Sequence, residues 1–173
     1  GAWNTIAGNY IGTDAGGAVA KANGGNGVLF SGIANNNTTG GTDASAGNLI
    51  RFNTGDGVNV GATAWSNAVL GNAIADNGGQ AIDLGTNGVQ ANDGFDMDGG
   101  ANYGQNFPVI TRAATTGALI EVAGTLNSVI GTTYRIEIFA NPAADASGYG
   151  EARTFVGALA VTTDFAGAAA FSQ

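Results

Sequence analysis

Three aspartates, Asp93, Asp96 and Asp98, stand close together in the stretch NDGFDMDGG, which also carries Asn92 and has Asn102 shortly behind it. Hard oxygen ligands at short spacing on a glycine-rich loop suit Ca2+, which takes about six to eight oxygens. The run DMDG resembles the start of a calcium loop, but no glutamate closes it. The competing reading is a turn-rich loop whose carboxylates accept from backbone amides. On the first reading, Asp93, Asp96, Asp98 and Asn92 hold a structural Ca2+ that braces the junction between two modules.

Asp56, Asp76 and Asp83 fall near one strand position of successive repeats. A glycoside hydrolase needs two carboxylates about 5–10 Å apart, and Asp56 and Asp83 are the candidates for that spacing. A polysaccharide lyase needs an Arg or Lys base beside carboxylates or a metal. Up to residue 90 the only cations are Lys21 and Arg51, and the chain has no histidine. Arg51 alternates with an inward Ile50 and is expected to face solvent, while Asp56 and Asp83 sit where a solvated corner would carry aspartate. No catalytic site is expected. Trp3, Trp65, Tyr10 and Tyr103 offer flat faces suited to pyranose rings. Trp3 and Trp65 each come just ahead of the same repeat position, where they would otherwise cover a corner or an open end.

The elements that position these groups are repeats. Asn4 to Ile11 reads NTIAGNYI and Asn67 to Ile74 reads NAVLGNAI; NLIRFNTGDGVNV, Asn48 to Val60, lies between them. Asn23 to Phe30, NGGNGVLF, matches Asn77 to Leu84, NGGQAIDL. Three windings can be laid under one another, with asparagines at Asn4/Asn37/Asn67, Asn9/Asn48/Asn72 and Asn23/Asn53/Asn77. At the first two of these positions each asparagine precedes, by two residues, the residue of an inward stack, which is the period that puts both on one side of a strand. The expected stacks are Ile6/Thr39/Val69, Ile11/Ile50/Ile74, Val28/Val58/Ile82 and Phe30/Val60/Leu84, with Thr39 the weak member. No winding buries its apolar face alone, so stacking must make the core. The aligned asparagines are expected to form ladders, each amide bonding its copy one winding away.

Composition agrees. Glycine supplies 31 of 173 residues, and 17 of the 19 asparagines lie within the first 106. Both tolerate left-handed turns, so short strands are favoured over helices. A net charge of −8 argues against nucleic acid as a partner. No apolar run approaches membrane-spanning length, so membrane insertion is not expected. Cysteine is absent, which removes disulfides and thiolate metal sites. From Val109 the pattern changes: Ala118 to Leu126, Thr133 to Ala140, Thr154 to Thr162 and Ala168 to Phe171 read as strands between Gly, Pro and Asn turns.

The NTIxGN and GNxI corners, the asparagine ahead of GV, and GTDASAGNLI resemble the right-handed parallel β-helix repeats of bacterial surface and secreted proteins, in the pectate-lyase-like superfamily. NDGFDMDGGANYGQNFPVI resembles the exit segment that leads there into a β-sandwich-like module, here without that module's later strands. The expected fold is all-β: a three-coil right-handed parallel β-helix over residues 1–90, an acidic glycine-rich linker over 91–107 and an incomplete antiparallel β-sandwich over 108–173. The expected function is a non-catalytic structural module, extracellular or at the bacterial cell surface. It would pair with itself, or with the remainder of a longer chain, through open β edges around Trp3, Ile6, Ile11, Ala168 and Phe171. Glycan binding in an adhesin, and a fragment of a polysaccharide lyase or hydrolase, are the alternatives.

Overall fold

The computed structural model describes residues 1–85 and 88–173. The chain is all-β, with parallel sheets made of stacked strand triplets and separate antiparallel sheets. It divides into two compact units, the first of residues 1–90, 100–102 and 137–157, the second of residues 91–99, 103–136 and 158–173. The segment 137–157, which the sequence pattern groups with the later strands, thus belongs to the first unit.

In the first unit, β1 (Thr5–Ile6), β2 (Tyr10–Ile11) and β3 (Val28–Phe30) make a leading layer. The middle layer is β4 (Thr38–Gly40), β5 (Leu49–Arg51) and β6 (Val58–Val60), and the trailing layer is β7 (Ala68–Leu70), β8 (Ala73–Ala75) and β9 (Ile82–Leu84). The sheets run β1-β4-β7, β2-β5-β8 and β3-β6-β9, parallel throughout. Their registers set Ile11 against Ile50 and Ile74, Val28 against Val58 and Ile82, and Phe30 against Val60 and Leu84, as the repeat spacing requires. Strands stay this short because the chain must turn at each corner. Gly12 and Gly40 have φ of +82° and +87°, and a Cβ on either would strike a carbonyl oxygen of the next layer.

The stacks make the core: Ile50, Val58 and Val60 are fully buried and Ile74 is 1 % exposed. Each such side chain contributes about 2 kcal/mol by leaving water. Thr39, paired with Ile6 and Val69, is also fully buried, and its hydroxyl has no hydrogen-bond partner among the described residues.

Between the stacks run three asparagine columns. Asn48 Oδ1 accepts from the Asn9 backbone N–H at 2.9 Å and from Asn9 Nδ2 at 3.1 Å, and Asn48 donates in the same two ways to Asn72 Oδ1 at 3.0 and 2.8 Å. Asn4, Asn37 and Asn67 repeat this arrangement. So do Asn53 and Asn77, with Asn23 giving its Nδ2 alone. The spare Nδ2 proton reaches a strand carbonyl, as from Asn48 to Ile6 O at 2.8 Å and from Asn72 to Thr39 O at 2.9 Å.

The trailing layer is covered by segments from outside the repeats but within the same unit. Asn102 extends the first column, accepting the Asn67 amide at 2.9 Å and donating its own N–H to Ala64 O. Ala152 bridges to Ile74 through two backbone bonds of 2.8 and 2.9 Å. The Glu137 carboxylate accepts from the Gly71 amide at 2.8 Å, and Glu151 from the Asp76 amide at 2.6 Å.

In the second unit β10 (Val109–Thr115), β11 (Ile120–Asn127) and β14 (Ala168–Ser172) form an antiparallel sheet in the order β10-β11-β14, with an irregularity between Ile110 and Arg112. β12 (Thr133–Ala140) pairs with β13 (Thr154–Thr162), and its residues 133–136 with residues 158–162 of β13 lie in this unit. Val122, Leu126, Ile136, Val161 and Phe171 are buried.

Thr39→Val keeps the shape and removes an unpaired buried hydroxyl; it should stabilise by about 1 kcal/mol, read as a Tm rise of about 3 °C. Asn48→Ala takes the acceptor from the Asn9 amide and one donor each from the Ile6 carbonyl and Asn72 Oδ1. It should cost about 3 kcal/mol in urea unfolding, against less than about 1 kcal/mol for the exposed Asn9→Ala.

Candidate functional site

The acidic loop of the second unit is built by turning the chain back on itself. Phe95 and Asp96 both take left-handed backbone, φ +65° and +57°, which brings Asp93, Asp96 and Asp98 together so that one oxygen of each lies within 4.8 Å of the others. Asp93 and Asp96 are half-buried and Asp98 is exposed. Asp96 is held at both oxygens: Oδ1 accepts the Asn106 amide at 2.8 Å and Oδ2 the Ser128 hydroxyl at 2.8 Å. Ser128 is fully buried, its Oγ 2.7 Å from the Tyr134 hydroxyl. Asp93 accepts the Met97 amide through Oδ2 at 3.1 Å, while its Oδ1 is buried with no hydrogen-bond partner among the described residues. At Gly104, φ +72°, a Cβ would lie on the Asp98 carboxylate, so the backbone approaches that group closely.

Asn106 organises the loop and has no periodic signal to betray it. Its Nδ2 donates to Asp93 O at 2.8 Å and Asn127 O at 2.9 Å, and its Oδ1 accepts the Asp93 amide at 3.1 Å. Asn92 clamps the backbone of Phe107, donating to its carbonyl at 2.8 Å and accepting its amide at 2.9 Å. Asn102, read with this loop from sequence, is instead the added rung of the first asparagine column. The donor set fits a hard cation: three carboxylates converge, and one buried oxygen has no proton donor.

The first unit has a separate acidic cleft of about 530 Å³ lined by Asn26, Leu29, Asp56, Asn59, Gln80 and Asp83. Asn59 Nδ2 lies 3.0 Å from Asp56 Oδ2, 3.1 Å from Asp83 Oδ2 and 2.9 Å from Gly85 O. Asp83 is 5 % exposed, which corrects the expectation of a solvated corner. Its burial, and then the neighbouring Asp56 charge, push its carboxyl above the ordinary aspartate range, partly offset by the Gly88 amide. Among the described residues no Lys or Arg lines the cleft. Arg51 turns outward from Ile50 and is 24 % exposed; it pairs with Asp76 and lies over the Phe52 ring at 4.8 Å. Asp76 also pairs with Arg153. Burial works against its charge, but hydrogen bonds from Arg153 and Arg51 outweigh that and hold its carboxyl below the usual range.

Of the aromatics, Trp3 is 80 % exposed, Tyr10 56 % and Trp65 38 % in the first unit, and Tyr103 53 % in the second. Trp65 bridges to Asn35, which bridges to Ala2. Trp3 therefore stands one column over, aligned with Asn36 and Ser66; all three take left-handed backbone, φ +62°, +53° and +54°. The two tryptophans do not share a repeat position. Among the proposed edges, Ile6 and Ile11 are half-buried against the core, Phe171 is buried, and Ala168 pairs with Asn127 on the outermost strand of its sheet.

Because the folded state raises the Asp83 pKa, its contribution is present at low pH and lost as pH rises from about 4 through the folded value. Asp83→Asn should therefore stabilise the protein at pH 7 and leave it little changed at pH 3, as read by urea unfolding at both pH values. No protein-family model matches the chain, and no curated protein matches it at a significant level.

Proposed function

We propose that the chain is a non-catalytic structural module of a secreted or cell-surface bacterial protein: a short right-handed parallel β-helix, similar to the pectate-lyase-like repeat proteins, followed by a partial antiparallel β-sandwich. It acts by association through open β edges, with a second copy as partner through strand addition along Ala168–Ser172. What supports this is that β14 is an outermost strand, paired on one side only, with β11, among the described residues. Asp93, Asp96 and Asp98 hold a structural Ca2+, a reading supported by the buried, unpartnered Asp93 Oδ1. The exposed Trp3 supports glycan binding as a second reading.

Sedimentation at rising protein concentration should show oligomers, and β14 variants with Ala170→Pro should weaken them; a strict monomer at every concentration overturns the association reading. Adding Ca2+ should raise Tm by about 4 °C or more, with the gain lost on chelation and in Asp93→Asn. An unchanged Tm with Ca2+ removes the ion.

A further inference from the structure

The acidic cleft of the first unit lies on the outer face of the β3-β6-β9 sheet, where two columns run side by side. Leu29, Asn59 and Asp83 pair in register. Three residues ahead of each stand Asn26, Asp56 and Gln80; the Asp56 amide donates to Asn26 Oδ1 and the Gln80 amide to Asp56 Oδ1, each at 2.8 Å. Asn26 shows that a carboxamide serves this second column, so the column does not need the Asp56 charge. Donors in the cleft fall short of acceptors. Asn59 Nδ2 carries two protons, yet Asp56 Oδ2, Asp83 Oδ2 and Gly85 O all lie within 3.1 Å of it. Asp83 is 5 % exposed and its Oδ1 is buried with no hydrogen bond among the described residues; the Gly88 amide, which favours its charge, does not bond this oxygen. Positive charge falls short as well. Arg51 and Arg153 both pair with Asp76, and Lys21 acts on Asp14.

We propose that this cleft binds a primary alkylammonium group, with Asp56 and Asp83 accepting its N–H protons and Leu29 covering its aliphatic stem. An ammonium brings three donors and one positive charge, which are the two things the cleft lacks. The two carboxylates converge on one point, since Asn59 Nδ2 lies about equally far from both. A compact ammonium suits that geometry better than the planar fork of a guanidinium, which favours a single carboxylate. The Asp83 carboxylate turns about a soft terminal torsion, so either of its oxygens can be brought toward the ligand. Leu29 is 56 % exposed and gives the charged floor an apolar wall. The volume of about 530 Å³ leaves room for several methylenes. A bare metal ion would fill little of it and would find two carboxylates where Ca2+ takes about six to eight oxygens. A lysine side chain on a partner and a free diamine present the same chemistry. This binding is independent of association through β14.

Proton–nitrogen correlation NMR on the full chain at pH 7 tests this through the Asn59 side-chain amide and the Gly88 backbone amide. Titration with 1,5-diaminopentane or with Nα-acetyl-lysine methylamide should move both signals saturably. Binding of the diamine alone assigns the cleft to a free amine, and binding of the lysine derivative assigns it to a side chain on a partner. Tetramethylammonium, which has the charge without N–H donors, and Ca2+ should each bind about tenfold more weakly or not at all. Asp56→Asn keeps the oxygen that the Gln80 amide needs, and Asp83→Asn keeps the shape of the cleft. Each should weaken amine binding by about tenfold or more. No saturable shift with either amine overturns the site. Equal binding of tetramethylammonium or Ca2+ overturns the ligand class, and undiminished amine binding in both variants overturns the role of the two carboxylates.

Discussion

One interaction governs the first unit: an asparagine carboxamide that accepts two N–H groups from the layer on one side and donates to the layer on the other. Parallel strands of two or three residues carry too few backbone bonds to define a sheet by themselves. The carboxamide adds bonds at the corner, where the ladder would otherwise lapse, and satisfies amides that a turning chain leaves orphaned. It does this inside the protein, where an unmade bond is costly, so each rung depends on the next being in place. The apolar stacks then fall into register without further specification, since a residue two positions from a fixed corner has one place to go.

Much of this could be read from the sequence because the signal is local and repeated. An asparagine followed at the second residue by Ile, Val or Thr recurs at Asn4, Asn37 and Asn67, and at Asn9, Asn48 and Asn72, and the pairing of layers follows from it. Thr39 was visible as the weak member of its stack for the same reason. Strand limits in the second unit were legible from alternation, as in Tyr134, Ile136 and Ile138. What that alternation does not encode is which body a strand packs against. The hairpin segment 137–157 shows this, patterned like its antiparallel neighbours yet gathered into the first unit.

The residues that sequence reasoning missed share one property: each acts once, over a long separation, with no periodic partner. Asn106 and Ser128 fix the acidic loop from 10 and 32 residues away from Asp96. Glu137 and Glu151 reach back 66 and 75 residues to cover amides at Gly71 and Asp76. Asn102 was noticed, but for its neighbours in sequence rather than for the column it completes. Asp83 departs from the sequence reading because strand alternation assigns an outward face without saying what else lies on it.

The glycines at the corners carry a consequence for how such a chain can change. A Cβ at Gly27 would strike Ile50 and the Gly57 carbonyl, and a Cβ at Gly57 would strike Ile74 and the Ala81 carbonyl, the same collision one layer on. Each corner is therefore a gauge set by the layer beyond it, and altering one residue there disturbs its neighbour's fit as well as its own. Duplicating or deleting an entire winding leaves every gauge matched. Lengthening the molecule by whole units is thus easier than revising any unit from within, which would keep the repeats alike over long descent while the surface loops between them drift.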